Sequence, residues 1–155
     1  MEYRFVCWFS YQLFYLHSDD AQRCNIMTME IINMNRPYQN QDGDVRCDRS
    51  TKFGNPFIMY SQMQRDAVCD NYDDYLEEII KPNNEKMVRA VLRAGGLNPN
   101  QIETWMIRTG GFLDLKELVG ARRLLCWCHP RRCHTETLKK KIEALQEPVL
   151  GVDKR

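Results

Sequence analysis

Three cysteines and two histidines lie within nine residues near the end of the chain. They occur in the stretch CWCHPRRCH, residues 126–134. Thiolates and imidazoles are common zinc ligands, and a cysteine beside a histidine is a usual pair for nucleophilic catalysis. The two arginines in the same stretch suit a third chemistry, the binding of phosphate. The residue types alone leave all three chemistries open.

The zinc hypothesis uses Cys126, Cys128, Cys133 and His134, or His129 in place of the last, as four ligands. Their number and type suit a tetrahedral site. Residues i and i+2 of a strand share a face, so Cys126 and Cys128 are expected to point the same way. The spacing C-x-C-x4-C-H, however, differs from the paired C-x2-C of common zinc knuckles. Either cysteine could instead be a small apolar residue of a buried strand.

Cys133 and His134 are the predicted catalytic pair. A helix is expected to begin there, and its N-terminus together with Arg131 and Arg132 would lower the pKa of the Cys133 thiol. A neighbouring histidine would act as the base. The same helix N-terminus could instead bind a phosphate group, with the two arginines, His134 and Thr135 around it.

A second stretch, GNPF at 54–57, lies in a loop with basic residues on both sides. Gly54 would let the backbone approach a ligand closely. Arg65 stands in the first turn of a predicted helix, where the helix dipole disfavours a positive charge, so we expect a ligand or a buried partner for it. The plainer alternative is a salt bridge to Asp66 or Glu30. The plainer interpretation of GNPF is a rigid turn that places Phe57 in the core. The predicted phosphate-binding residues are Arg49, Lys52, Gly54, Asn55, Arg65, Arg131 and Arg132.

The elements around these motifs indicate an α/β domain with a small parallel sheet. We predict strands at 29–35, 44–47 and 122–128, and helices at about 61–80, 84–94, 99–108, 114–120 and 133–146. Each motif follows a predicted strand. Because ligands of such sheets bind outside the carboxyl ends of the strands, we expect the two motifs to meet there.

Composition narrows the class of protein. The chain has 155 residues, the length of one domain, and its 43% hydrophobic content is that of a globular protein. Net charge is +1, but 66–78 holds six acidic residues and 121–142 holds seven basic ones. Seven cysteines, an odd number, favour a reducing cytoplasm over a disulfide framework. No apolar run reaches the roughly 18 residues of a membrane span, so no membrane partner is expected.

The first 28 residues differ from the rest. They contain the apolar run FVCWFSYQLFYL at 5–16, and a clear strand pattern begins only at about Met29. We therefore predict that 1–28 is an N-terminal extension that is either not native or disordered; the alternative is an apolar segment that packs on the domain or on a partner. The single domain is predicted over 29–147, and 148–155 is a tail.

Together the motifs resemble a phage and bacterial family called domain of unknown function 4326. Its members carry an Arg-x-x-Lys-aromatic-Gly-Asn-Pro-Phe loop, an Arg at the head of a helix, and Cys-Trp-Cys-x-Pro-x-x-Cys-His before the last helix. The resemblance covers roughly 29–147. Two positions depart from it, because Asp48 stands where members usually have Gly, and Thr135 where they have a smaller residue. The matching residues are Arg49, Lys52, Phe53, Gly54, Asn55, Pro56, Phe57, Arg65, Cys126, Trp127, Cys128, Pro130, Cys133 and His134.

The resemblance implies a Rossmann-like three-layer α/β fold with a helical insertion at about 82–112. It also implies a phage protein that works in the host cytoplasm, and it implies no activity. The basic residues of the two motifs, rather than the resemblance, lead us to predict a nucleotide or nucleic-acid phosphate as the ligand. We expect it to bind between the GNPF loop and the CWCHPRRCH turn. Whether the protein is an enzyme acting on that ligand stays open. The alternatives are a non-enzymatic interaction module with a structural zinc site and a host-takeover protein that binds a host protein.

Overall fold

The structure, a computed structural model, describes residues 29–146. The predictions for 1–28 and for the tail at 148–155 lie outside these residues. Two short 3-10 helices, Gln62–Gln64 and Leu115–Leu118, accompany the main elements. The strands and α-helices are β1 (Glu30–Asn33), β2 (Asp44–Arg46), α1 (Arg65–Ile79), α2 (Glu85–Ala94), α3 (Pro99–Thr109), β3 (Arg123–Cys126) and α4 (His134–Gln146).

The three strands form one parallel sheet in the order β1-β3-β2. Leu124 of the central strand lies beside Ile31 on one side and Val45 on the other. Leu124 and Leu125 are buried, as expected of a strand with neighbours on both sides. The predicted α/β class with a small parallel sheet is confirmed, and the carboxyl ends of all three strands lie at one edge.

The central strand is shorter than predicted. It ends at Cys126, where the Met34 amide donates a 2.8 Å hydrogen bond to the Cys126 carbonyl, and the chain then turns away. Cys128 therefore lies outside the strand, so the argument from a shared strand face does not apply to it, although both thiols contact Cys133. Cys126 is buried in the strand, whereas Cys128 is half-buried in the turn.

Helix boundaries agree with local sequence signals. Ser61 donates its amide to the Gln64 side chain at 3.2 Å, just before α1 begins. Asn98 and Gln101 exchange hydrogen bonds of 2.9 and 3.0 Å at the start of α3, as in a capping box. The predicted insertion at 82–112 consists of α2 and α3. No helix within 29–146 is long and apolar enough to cross a bilayer.

Phe57 of the GNPF loop lies in the core. Its ring meets Tyr75 of α1 edge to face, with 6.3 Å between centroids, and Trp105 of α3 donates to the Tyr75 hydroxyl at 2.8 Å. Gly95 leaves room for this ring, because a Cβ atom there would lie 2.1 Å from Phe57 Cε1. The loop is thereby attached firmly to α1 and to the α2 terminus.

Acidic residues of α1 form ion pairs with basic residues of α4 and of the turn before it. Arg132 pairs with Asp66 at 3.3 Å and with Asp70, and Lys141 pairs with Glu77. The acidic stretch at 66–78 therefore neutralises part of the basic stretch at 121–142. Of the two arginines in the CWCHPRRCH turn, Arg132 is therefore paired with carboxylates of α1.

Candidate functional site

A cavity of about 380 Å³ lies where the loop after β2, the start of α1 and the turn after β3 come together. Its position at the carboxyl end of the parallel strands is the usual ligand site of open α/β sheets. The residues that line it are Asp48, Arg49, Ser50, Asn55, Met59, Arg65, Val68, Cys69, Trp127, Cys128, Arg132, Cys133 and His134.

Arg49 and Asn55 hold the GNPF loop in shape while they line the cavity. Arg49 donates from Nε to the Asn55 carbonyl at 3.2 Å and from Nη2 to the Phe57 carbonyl at 2.6 Å. The Asn55 side chain accepts from the Phe57 amide at 2.8 Å and donates to the Val68 carbonyl of α1 at 3.3 Å. These bonds use neutral backbone groups, so the positive charge of Arg49 is not cancelled by them.

The structure shows why a glycine stands at position 54. A Cβ atom at this position would lie 2.1 Å from the Asp48 carbonyl oxygen. The backbone of the loop therefore folds against its own start, and Gly54 permits that contact. This contact joins two parts of the same loop, and the approach of Gly54 to a ligand stays a prediction.

Arg65 reaches from the start of α1 to the second motif. Its Nη1 donates to the Arg132 carbonyl at 3.1 Å, and its Nε and Nη2 donate to the Gln62 side chain at 3.3 and 2.7 Å. A hydrogen bond from Arg65 also helps to lower the pKa of Cys128, after a larger effect from Cys133. Within residues 29–146, the hydrogen bonds of this guanidinium reach no carboxylate. The structure thus brings Arg65 and the CWCHPRRCH turn together.

Three other predicted phosphate-binding residues are placed differently. Lys52 pairs with Glu117 at 2.6 Å and does not line the cavity. Arg131 is exposed and also lies outside the lining. Arg132 does line it, but its guanidinium is directed to Asp66 and Asp70 on α1. The basic charge at the cavity therefore comes mainly from α1 and the first loop, not from the second motif.

Asp48 brings a buried carboxylate to the cavity. Burial by itself raises its pKa, but hydrogen bonds from Ser50, Arg46 and Trp127 outweigh burial and lower the pKa to about 2. The Trp127 indole donates at 3.1 Å and the Ser50 amide at 3.0 Å. Asp48 is thus ionised at neutral pH, and Arg46 balances its charge. Its role in the structure is to fix the loop and the Trp127 side chain.

His134 is buried at the first position of α4. Its Nε2 lies 2.6 Å from the Cys47 carbonyl, which can only accept, so Nε2 carries the proton. Nδ1 is then an acceptor and lies 3.6 Å from the Cys133 sulfur. Burial lowers the pKa of His134 to about 4. The predicted cysteine–histidine pair is therefore in contact, with a neutral imidazole.

The thiol chemistry differs from the prediction for Cys133. Cys133 is buried and donates to the Cys126 sulfur at 3.3 Å. Hydrogen bonds to Cys126 and Cys128 raise the pKa of Cys133, whereas the same bonds lower the pKa of each of its two partners. Arg132 faces α1, so it does not offset this effect. The prediction of a lowered pKa at Cys133 was wrong, and Cys128 is the more exposed thiol with a lowered pKa.

The four predicted zinc ligands lie close together around the Cys133 sulfur, which is 3.3 Å from the Cys126 sulfur and 3.6 Å from His134 Nδ1, but they are not arranged as a metal site. Among residues 29–146, no three or more His, Cys, Asp or Glu side chains are arranged to hold a metal ion. His134 directs its protonated Nε2 to Cys47, and Thr135 donates to the Cys133 sulfur at 3.2 Å. Cys133 and His134 would have to give up these hydrogen bonds before they could bind zinc.

The comparisons with known proteins give one match. The family model described as "Domain of unknown function (DUF4326)" matches residues 32–144. The chain belongs to this family. Comparison with curated proteins and comparison with solved structures each found no match. The family match covers both motifs and every residue that lines the cavity, but its description names no activity.

Six of the lining residues were not predicted as site residues from the sequence: Asp48, Ser50, Met59, Val68, Cys69 and Trp127. Trp127 directly follows the end of β3, and its side chain lines the cavity. Met59, after the GNPF loop, is a second apolar residue of the lining. The available signal was the position of Trp127 at a strand end, where parallel sheets commonly bind ligands. The chemical roles predicted for the site residues stay predictions.

Proposed function

We propose that this protein binds a nucleotide or nucleic-acid phosphate in the cavity between the GNPF loop and the CWCHPRRCH turn. One observation carries the proposal. Arg49 and Arg65 come from two separate elements to the same cavity, and within 29–146 neither guanidinium bonds to a carboxylate. Two such charges in one recess favour an anion, because planar guanidinium groups match phosphate oxygens well.

The other charges near the cavity do not oppose this function. Asp48 is balanced by Arg46, and Arg132 is balanced by Asp66 and Asp70. The net positive charge of the lining therefore rests on Arg49 and Arg65. The buried, neutral His134 and the Cys128 thiol lie in the same cavity, where they could act on a bound ligand. No reaction is assigned to them.

Calorimetric titration with AMP tests the proposal. We expect AMP to bind, to bind less tightly as salt increases, and to lose about tenfold or more in affinity in Arg65→Ala. Arg131→Ala is the matched control, because Arg131 stands in the second motif but outside the cavity. A thermal melt of each variant checks the fold. The proposal fails if neither AMP nor a ten-nucleotide oligoadenylate binds, or if both variants lose affinity equally.

One structural observation supports the alternative of a zinc-binding interaction module. Cys126 and Cys133 lie close enough for their thiols to bond, which is the observation that favours a cysteine-based site. The phage origin and the host-protein partner stay predictions drawn from the family resemblance.

A further inference from the structure

Trp127 forms one wall of the cavity and is held at two points. Its indole Nε1 donates to Asp48 at 3.1 Å, and its carbonyl accepts from the Asn35 side chain at 3.0 Å. Even so, 49% of its surface is exposed. An aromatic side chain that is already fixed and still exposed loses little conformational freedom when a ligand covers it. Trp127 is therefore prepared to contact a ligand.

The chemistry around Trp127 combines an aromatic wall with positive charge. Arg65 lies at the same cavity, and Met59 and Val68 add apolar surface to the lining. A nucleotide has both complementary parts, since its base stacks on aromatic rings and its phosphate binds arginine. We infer that Trp127 stacks on the base of a mononucleotide whose phosphate is bound by Arg65. This inference rests on the proposed function.

Two observations favour a mononucleotide over a polynucleotide. The cavity, at about 380 Å³, is near the lower end of the roughly 300–1,000 Å³ found for small-ligand pockets. Beside it, the Arg132 guanidinium is surrounded by Asp66 and Asp70, whose side chains are 78% and 64% exposed. Two carboxylates against one guanidinium leave this group with a net negative charge, which would repel the further phosphates of a polymer.

The test compares AMP with ribose 5-phosphate, which lacks the base, by calorimetry on the full chain. We expect AMP to bind about tenfold or more tightly, the gain typical of stacking one base. Trp127→Ala should lower the affinity for AMP to that of ribose 5-phosphate and leave the latter unchanged. Trp127→Phe should retain most of the affinity for AMP, because a phenyl ring also stacks.

A spectroscopic measurement separates stacking from a structural role. AMP should quench tryptophan fluorescence in the native protein, and the quenching should disappear in Trp127→Phe while binding persists. Equal affinities for AMP and ribose 5-phosphate would overturn the inference but leave the phosphate site intact. Absence of binding by AMP, ribose 5-phosphate and a ten-nucleotide oligoadenylate would overturn the proposed function and this inference together. A ten-nucleotide oligoadenylate that binds much more tightly than AMP would overturn the choice of a mononucleotide.

Discussion

The Arg65 guanidinium donates a 3.1 Å hydrogen bond to the backbone carbonyl of Arg132, 67 residues further along the chain. This bond joins the head of α1 to the turn before α4. The residue that the helix dipole disfavours at a helix start thus has a partner, although the partner is a neutral carbonyl. Arg65 lines the cavity and pairs with no carboxylate among residues 29–146. The Arg132 guanidinium instead pairs with Asp66 and Asp70 of α1.

The buried imidazole of His134 should make stability depend on pH. Burial holds its pKa at about 4, whereas an unfolded histidine has a pKa near 6.5. The unfolded chain therefore binds the extra proton between these values, so the free energy of unfolding should fall by up to about 3 kcal/mol as pH drops from 7 to 4. Urea denaturation at several pH values measures this.

His134→Gln is the control for that experiment. A glutamine amide can still donate to the Cys47 carbonyl but does not titrate. The variant should lose less stability than the native protein between pH 7 and pH 4. Parallel pH curves for the two proteins would show that His134 is not buried in its neutral form.

A methyl group added at Gly95 should destabilise the protein, because Gly95 lies against the Phe57 ring. Gly95 has an ordinary φ of −75°, so Gly95→Ala adds no backbone strain, but its Cβ would meet the Phe57 ring at 2.1 Å. We expect a loss of about 1–3 kcal/mol in the free energy of unfolding, which is typical of overpacking. Adding Phe57→Leu should make the Gly95→Ala change less costly. A double-mutant cycle in urea that gives zero coupling would contradict the contact.

Cys128 should be the first cysteine between 29 and 146 to react with iodoacetamide. It is half-buried, whereas Cys47, Cys69, Cys126 and Cys133 are buried. A hydrogen bond from Cys133, helped by one from Arg65, lowers the pKa of the Cys128 thiol, so its alkylation should continue below the pH at which an ordinary thiol slows. Peptide mapping after short exposures identifies the modified residue. Faster alkylation of Cys133 would reverse this order.

Removal of metal should leave the fold unchanged. The described cysteines and histidines are not arranged as a metal site, and a structural zinc would contribute on the order of 10 kcal/mol to folding. We therefore expect the melting temperature to be the same with and without a chelator. The protein, purified without chelator, should carry much less than one equivalent of zinc. One bound zinc whose removal unfolds the domain would support the interaction-module alternative.

Local signals were sufficient for most elements of the fold. The Ser61 and Asn98 caps, the β-branched run of β1 and the glycines after α2 and α3 act over a few residues, so the sequence shows them directly. The meeting of the two motifs also follows from local reasoning, since both come after parallel strands. The position at which β3 ends cannot be predicted from local signals. It depends on which backbone groups of the neighbouring strands are available for hydrogen bonds.

The sequence by itself determined the elements, the family motifs and the edge of the sheet at which those motifs meet. Only the tertiary structure decided which charges remain at the cavity. Arg132 lies in the motif but is paired with Asp70, 62 residues away, while Arg65 faces the cavity without a carboxylate among residues 29–146. Hydrogen bonds of helices, turns and caps join near neighbours, whereas ion pairing depends on how α1 packs beside the turn before α4.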